Sequence, residues 1–228
     1  ASLRRWTNSG QLPCLRLGNK GERRFRHRDL MAFLETRAAN PPPPTTRPAE
    51  VSVEGVAIEY GNHVCTLYEN DLGRLKWSVP FLTDGLRNGD GCFLVGTPDA
   101  REDIMDHVRQ GTDGVDQAIE SGQLVETSGL SDGNDMCRFV ERSLFEMKQS
   151  GLRAFRLLGD MSWCQRLGMT HDDLVAYEMR YNHEIAHQYP LVSVCQYDVR
   201  DFSGRGVLSA LQCHQDTFKF SLSRFLSS

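Results

Sequence analysis

His183-Glu184-Ile185-Ala186-His187 sets two imidazoles one helical turn apart with a carboxylate beside the first, the pattern with which zinc peptidases hold a metal ion and deprotonate water. Facing argues against that use. At 100° per residue Leu174, Glu178, Tyr181 and Ile185 fall on one narrow stripe, whereas His183 and His187 point to the opposite side and toward water. Pro190 then ends the helix, and no third ligand is identifiable. Zinc-dependent hydrolysis at 183–187 is therefore the weakest alternative. The same projection places Glu178 among apolar residues, where an ionised carboxylate is costly unless it is paired or hydrogen-bonded.

Other polar groups follow strand-like runs. Asp160, Ser162 and Trp163 come after Arg156-Leu157-Leu158-Gly159, and Gln196, Tyr197 and Asp198 come after Val192-Ser193-Val194-Cys195. In open α/β sheets ligands bind beyond the carboxyl ends of the strands, so these groups are expected to converge there with Glu178, with Trp163 and Tyr197 as walls. A buried network locking helix to sheet is an equal reading of the same spacing. His63 and His214 open the first strand and close the last helix. Together with Cys65 or Cys213 they would bind metal or sense oxidants, but a core or capping role is the ordinary one, so no metal ligand is assigned and no cofactor identified. Nucleotide hydrolysis needs a glycine-rich loop ending in Gly-Lys-Ser/Thr, and Gly96-Thr97-Pro98-Asp99-Ala100-Arg101 lacks it. No catalytic residue is assigned, and the chain is read as a non-enzyme.

These groups need an alternating scaffold to hold them. Strand-like runs at 64–68, 92–96, 123–127, 154–159 and 191–197 alternate with helical periods, which implies a largely parallel sheet covered by helices. Leu72, Leu75, Val79, Leu82 and Leu86 form one helical stripe, and Met136, Phe139, Val140, Leu144 and Met147 another, with Gly89 and Gly151 as left-handed caps. Ahead of this region, Pro41-Pro42-Pro43-Pro44 with Pro48 makes a stiff spacer. Residues 1–50 hold ten Lys/Arg against four Asp/Glu, a balance of +6; with −4 for the whole chain of 228 residues, the remainder carries −10. A small basic unit joined to an acidic body is the footprint of phosphate-backbone binding by the small part. No apolar run is long enough to span a membrane and no apolar core follows the arginine-rich start, so a cytoplasmic protein without membrane partners is expected. Seven scattered cysteines with no CxxC pair read as reduced residues; oxidation of Cys65, Cys92 or Cys195 in a redox-responsive interaction module is the alternative function.

The N-terminal wording narrows the first unit. Leu3-Arg4-Arg5-Trp6, Gly10-Gln11-Leu12-Pro13 and Arg23-Arg24-Phe25 with Asp29-Leu30 resemble the excisionase or MerR-like winged helix-turn-helix family. The resemblance implies a helix presenting Arg4 and Arg5 to double-stranded DNA and a wing, with strands near 12–17 and 22–26, bringing Arg16, Lys20, Arg23 and Arg24 to phosphates. The family's first helix would precede Ser2, so the segment is read as partial.

The large region is similar to the MEDS sensory domain, of regulators such as those governing dichloromethane metabolism. The ordered set includes His63-Val64-Cys65, Leu67-Tyr68-Glu69, Gly159-Asp160-Met161-Ser162-Trp163, Tyr177-Glu178 with Asn182, and Cys195-Gln196-Tyr197-Asp198. At Asp160 the family more often carries Glu. The resemblance implies an α/β, RecA/KaiC-like parallel-sheet sensory domain without a P-loop, preceded by the small winged helix-turn-helix segment. It also implies sensing of one-carbon compounds or hydrocarbon derivatives, and ligand contacts by His63, Glu69, Asp160, Trp163, Glu178, Asn182, Gln196 and Tyr197. The expected organisation is a DNA-binding segment at 1–38, a linker at 39–58, a sensory domain at 59–220 and a tail at 221–228. The expected function is a homodimeric transcriptional regulator that answers a small-molecule effector, dimerising through the large domain or through Phe218–Leu226.

Overall fold

The computed structural model describes residues 7, 13–17, 22–29, 50–53 and 55–227. The chain divides into two compact units, residues 1–48 and 49–228. In the first, strands β1 (Leu15–Leu17) and β2 (Glu22–Arg24) pair antiparallel, with Leu15 opposite Arg24 and Leu17 opposite Glu22. They are shorter than the two strands expected for a wing. Arg4, Arg5, Lys20, the side chain of Arg16 and the four consecutive prolines lie outside the described residues.

The second unit opens with an antiparallel hairpin, β3 (Glu50–Val53) and β4 (Val56–Glu59), whose alternating Val51, Val53, Val56 and Ile58 are buried. Of the linker expected over 39–58, residues 39–49 lie outside the described residues, and 50–53 and 56–58 instead form strands whose period-two apolar pattern buries a face of its own. The chain continues as β5 (His63–Tyr68), α1 (Asp71–Arg87), β6 (Gly91–Val95), α2 (Pro98–Gly111), α3 (Val115–Glu120) and β7 (Leu124–Thr127). It then forms α4 (Gly133–Gln149), β8 (Phe155–Asp160), α5 (Ser162–Arg166), α6 (His171–Tyr181) and a π-helical turn (Asn182–Ala186). Last come β9 (Leu191–Asp198), α7 (Gly204–Cys213), a 3-10 turn (Gln215–Lys219) and β10 (Leu226–Ser227).

Among the described residues, six strands form one parallel sheet in the order β10-β5-β9-β8-β6-β7. Strands covered on both faces read as continuous apolar runs, which is why their positions were visible in the sequence. Alternate residues serve opposite faces. Val64, Leu94, Val192 and Val194 join Trp77, Phe81 and Ile104 of α1 and α2, whereas Cys65, Phe93 and Cys195 join Val140 and Leu144 of α4 and Tyr181 of α6. Gly89 and Gly151 adopt the positive φ expected of them, 71° and 101°.

Two expectations about burial are corrected. Helix α1 turns Trp77, Phe81 and Leu82 inward and leaves Leu72 80% exposed, because the aromatic rings bury more apolar area than the leucine stripe. Residues 221–227 of the expected tail are not free. Phe225 is buried and stacks on Trp77 with ring centroids 5.0 Å apart, and β10 pairs with β5 at Leu67 and Tyr68, so these residues close the sheet's own edge. No helix among the described residues is long and apolar enough to cross a membrane.

Candidate functional site

The apolar stripe of α6 is as the sequence dictates: Leu174, Tyr181 and Ile185 are buried with Glu178 among them, while His183, Glu184 and His187 are exposed. Arg180 Nε donates to Glu184 Oε2 at 2.8 Å, so the carboxylate of the zinc-peptidase pattern is engaged in a surface ion pair. The backbone widens into a π-helical turn at 182–186, a distortion often found at functional sites.

Glu178 meets three residues that come from three other elements. His63 opens β5, Cys195 lies on the adjacent strand β9, and His214 follows α7. All four are buried, and their ligand-type atoms lie within 4.8 Å of one another. His63 Nε2 stands 3.0 Å from His214 Nε2 and 3.1 Å from Cys195 Sγ. Glu178 Oε2 stands 3.7 Å from His63 Nε2 and 3.6 Å from His214 Nε2. Tyr197 Oη donates to Glu178 Oε1 at 2.6 Å, while Glu178 Oε2 has no hydrogen-bond partner.

The outer sides of both imidazoles are fixed. Asn182 Nδ2 donates to the Cys213 carbonyl at 2.7 Å, which turns Asn182 Oδ1 toward His63 Nδ1 at 2.9 Å. His214 Nδ1 lies 2.7 Å from the Ala210 carbonyl. Both partners are acceptors, so each Nδ1 must donate. Burial, reinforced by His214 alongside, holds His63 well below the ordinary histidine value, so it is neutral at physiological pH. Burial also pushes the Cys195 thiol well above its usual value, and those of Cys65 and Cys92 up to about 12. Such protonated, enclosed thiols are poor nucleophiles, which corrects the redox-sensor alternative built on these three cysteines.

Two of the cavities among the described residues adjoin these polar groups. The larger, about 930 Å³, lies at the carboxyl ends of β5, β8 and β9 and is lined by Tyr68, Asp160, Asp198, Arg74 and Arg200 among others. Asp160 is buried there, accepting from Tyr68 Oη at 2.6 Å and from the Ser162 backbone at 3.1 Å, and burial raises its carboxyl above the usual range. The second, about 480 Å³, opens between α6, α7 and the 3-10 turn, with Val175, Met179, Asn182 and Ser209 on its sides and His63 as a wall.

A model of the methanogen/methylotroph, DcmR sensory domain (MEDS) matches residues 62–215, more than half of the chain. The chain belongs to the MEDS family. It is 40% identical over 230 residues to the transcriptional repressor DcmR of Methylorubrum extorquens (strain DSM 6343 / CIP 106787 / DM4), covering 97% of this chain and 87% of that one. Among solved structures, the KaiC-like protein PH0186 of Pyrococcus horikoshii OT3 aligns with a TM-score of 0.49 and 14% identity, covering 68% of this chain and 69% of that chain.

The MEDS domain splits the residues that sequence reading grouped in one crevice. Asp160 is at the carboxyl-end cavity, but Glu178 and Tyr197 lie on the α6 face. Trp163 packs edge-on against Tyr177 with ring centroids 5.7 Å apart, inside the core. Trp163 and Tyr197 are therefore not walls of a crevice. Gln196 points to the other face, accepting from Ser78 Oγ at 2.6 Å and donating to the Arg74 carbonyl at 3.1 Å. Glu69 is exposed and lines neither cavity, its backbone N–H donating to the Ser227 carbonyl at 3.2 Å. His63 and Asn182 do come together. Neither Cys65 nor Cys213 completes the histidine cluster: Cys195 does, because β9 lies beside β5, an adjacency no local spacing reveals.

Proposed function

We propose that the chain is a DNA-binding transcriptional regulator of the repressor type, whose MEDS domain holds a small one-carbon or hydrocarbon-derived effector and alters the affinity of the basic N-terminal unit for duplex DNA. The observation that carries this reading is the identity to a named transcriptional repressor over nearly the whole chain, basic unit and sensory domain together. Charge segregation supports it, since +6 in residues 1–50 attracts phosphate and −10 in the remainder is repelled. No catalytic step is required of it, and its compartment is the cytoplasm, where the DNA is. A homodimer follows from the use that DNA-binding modules of this size make of paired half-sites.

For the effector, the cavity beside His63 suits better than the carboxyl-end cavity. A small and weakly polar molecule gains from Val175 and Met179 beside mostly uncharged polar groups and a single aspartate, whereas the larger cavity is lined by six aspartates and three arginines whose hydration it would displace. Fluorescence anisotropy with a labelled duplex from upstream of the chain's own gene tests the DNA role. Affinity is expected to fall by about 10³-fold or more between 50 and 200 mM salt if some six phosphates are neutralised. Arg23→Ala with Arg24→Ala is expected to flatten that slope. Salt-independent binding, or none, would contradict the proposal.

A further inference from the structure

We propose that His63, Glu178, Cys195 and His214 form a buried metal centre that takes one divalent ion of the zinc class. The inference goes beyond the regulatory reading and does not depend on it. Its first support is a contact that only an added cation, a proton or a metal ion, resolves. With both rings neutral and each Nδ1 committed as donor to Asn182 Oδ1 and to the Ala210 carbonyl, the two Nε2 atoms carry lone pairs, and these face one another at 3.0 Å. The Cys195 thiol can donate to one of them, His63, at 3.1 Å. The His214 lone pair is then still turned toward a second lone pair inside a dry core. A cation between the two nitrogens turns that repulsion into two bonds.

The second support is Glu178 Oε2, fully buried, without a hydrogen-bond partner, and aimed at the same point from 3.6 and 3.7 Å. An unpaired carboxylate oxygen in such a place is costly, and a coordinated ion offsets that cost. Third, the spacings suit the chemistry. Tetrahedral bonds of about 2.0–2.3 Å to nitrogen, oxygen and sulfur imply ligand-to-ligand edges of about 3.3–3.6 Å. Four of the six ligand-to-ligand edges run from 3.0 to 3.7 Å, and all six lie within 4.8 Å. Two imidazoles, a thiolate and a carboxylate are a donor set that selects zinc over the hard oxygen-seeking cations. The outer hydrogen bonds from Asn182 and Ala210 are the second shell that such histidines ordinarily have. Four protein ligands leave no open position, so the ion ties β5, β9, α6 and the end of α7 together rather than activating water.

The full chain, purified without chelator from zinc-supplemented medium, is expected to carry about one zinc per chain by inductively coupled plasma mass spectrometry. After chelator treatment, added Co²⁺ is expected to give the visible bands of tetrahedral cobalt and a near-ultraviolet thiolate charge-transfer band. Cys195→Ser should lose the charge-transfer band, and His214→Gln should reduce bound metal at least tenfold. His183→Ala with His187→Ala should leave both unchanged. The wild-type cobalt spectrum does not depend on any variant folding. Wild-type protein that binds neither zinc nor Co²⁺ would overturn the proposal, as would a cobalt spectrum without a thiolate band, or metal lost in the His183/His187 variant. No readout involves DNA, so failure here is distinct from failure of the regulatory reading.

Discussion

Glu178 shows how far a single residue can be read from sequence. Its burial followed from helical periodicity alone, because facing depends only on spacing along α6. Its partners did not, because they arrive from β5, β9 and the end of α7. Cys195 and His63 are 132 residues apart and meet only once β9 inserts beside β5. Two predictions belong at this scale. Arg156 Nε donates to Asp90 Oδ2 at 2.9 Å and its Nη1 donates to the Phe81 carbonyl, all buried, so Arg156→Met removes the cation of a buried ion pair and is expected to cost about 3–5 kcal/mol in urea unfolding. Asp198 is pulled both ways: burial raises its carboxyl, but hydrogen bonds from Arg200 outweigh that and leave it below the usual range. A depressed carboxylate stabilises the fold above its unfolded value and loses that contribution as pH falls through its folded value. Arg200→Ala should therefore lower the melting temperature at pH 7 and leave it unchanged at strongly acidic pH; an equal drop at both would contradict the assignment.

At the scale of elements, strands β5 to β9 were legible to within a residue or so, β6, β8 and β9 because each is a fully buried, mostly apolar run. The β3–β4 hairpin was hidden by its neighbours: Val51, Val53, Val56 and Ile58 alternate as a half-buried hairpin should, but directly after a proline-rich stretch. The edge strand β10 was hidden by brevity, two residues held by the burial of Phe225. Nor could the sequence reveal how β5 is finished. The 3-10 turn supplies Asp216 Oδ2 to the His63 N–H and Thr217 Oγ1 to the Cys65 N–H, each at 2.9 Å, in place of a neighbouring strand. The loop after β7 is equally specified. Gly129 has φ of +83°, and a Cβ there would stand 2.2 Å from the Trp163 ring. Gly129→Ala is therefore expected to cost at least about 2 kcal/mol, read as a lowered denaturant midpoint with an unchanged slope.

For the whole molecule, a regulator needs two units and a coupling between them. Composition shows a basic segment, a run of prolines and an acidic body, and the chain divides at residues 48 and 49, ten residues before the sensory domain was expected to begin. The cavity proposed for the effector was not legible, because its wall and sides come from β5, α6, α7 and the 3-10 turn, and only the packed tertiary structure defines it. Methanol and dichloromethane represent the proposed effector class. The member that binds in the cavity is expected to raise the melting temperature in proportion to the logarithm of its concentration. The most direct test of the account takes that member and measures the DNA dissociation constant with and without it, in the wild-type chain and in Ser209→Phe, which fills the cavity. A change of about 5- to 150-fold in the wild type and none in the variant is the predicted result. A wild-type affinity indifferent to every such compound, or a response that Ser209→Phe leaves intact, would contradict it.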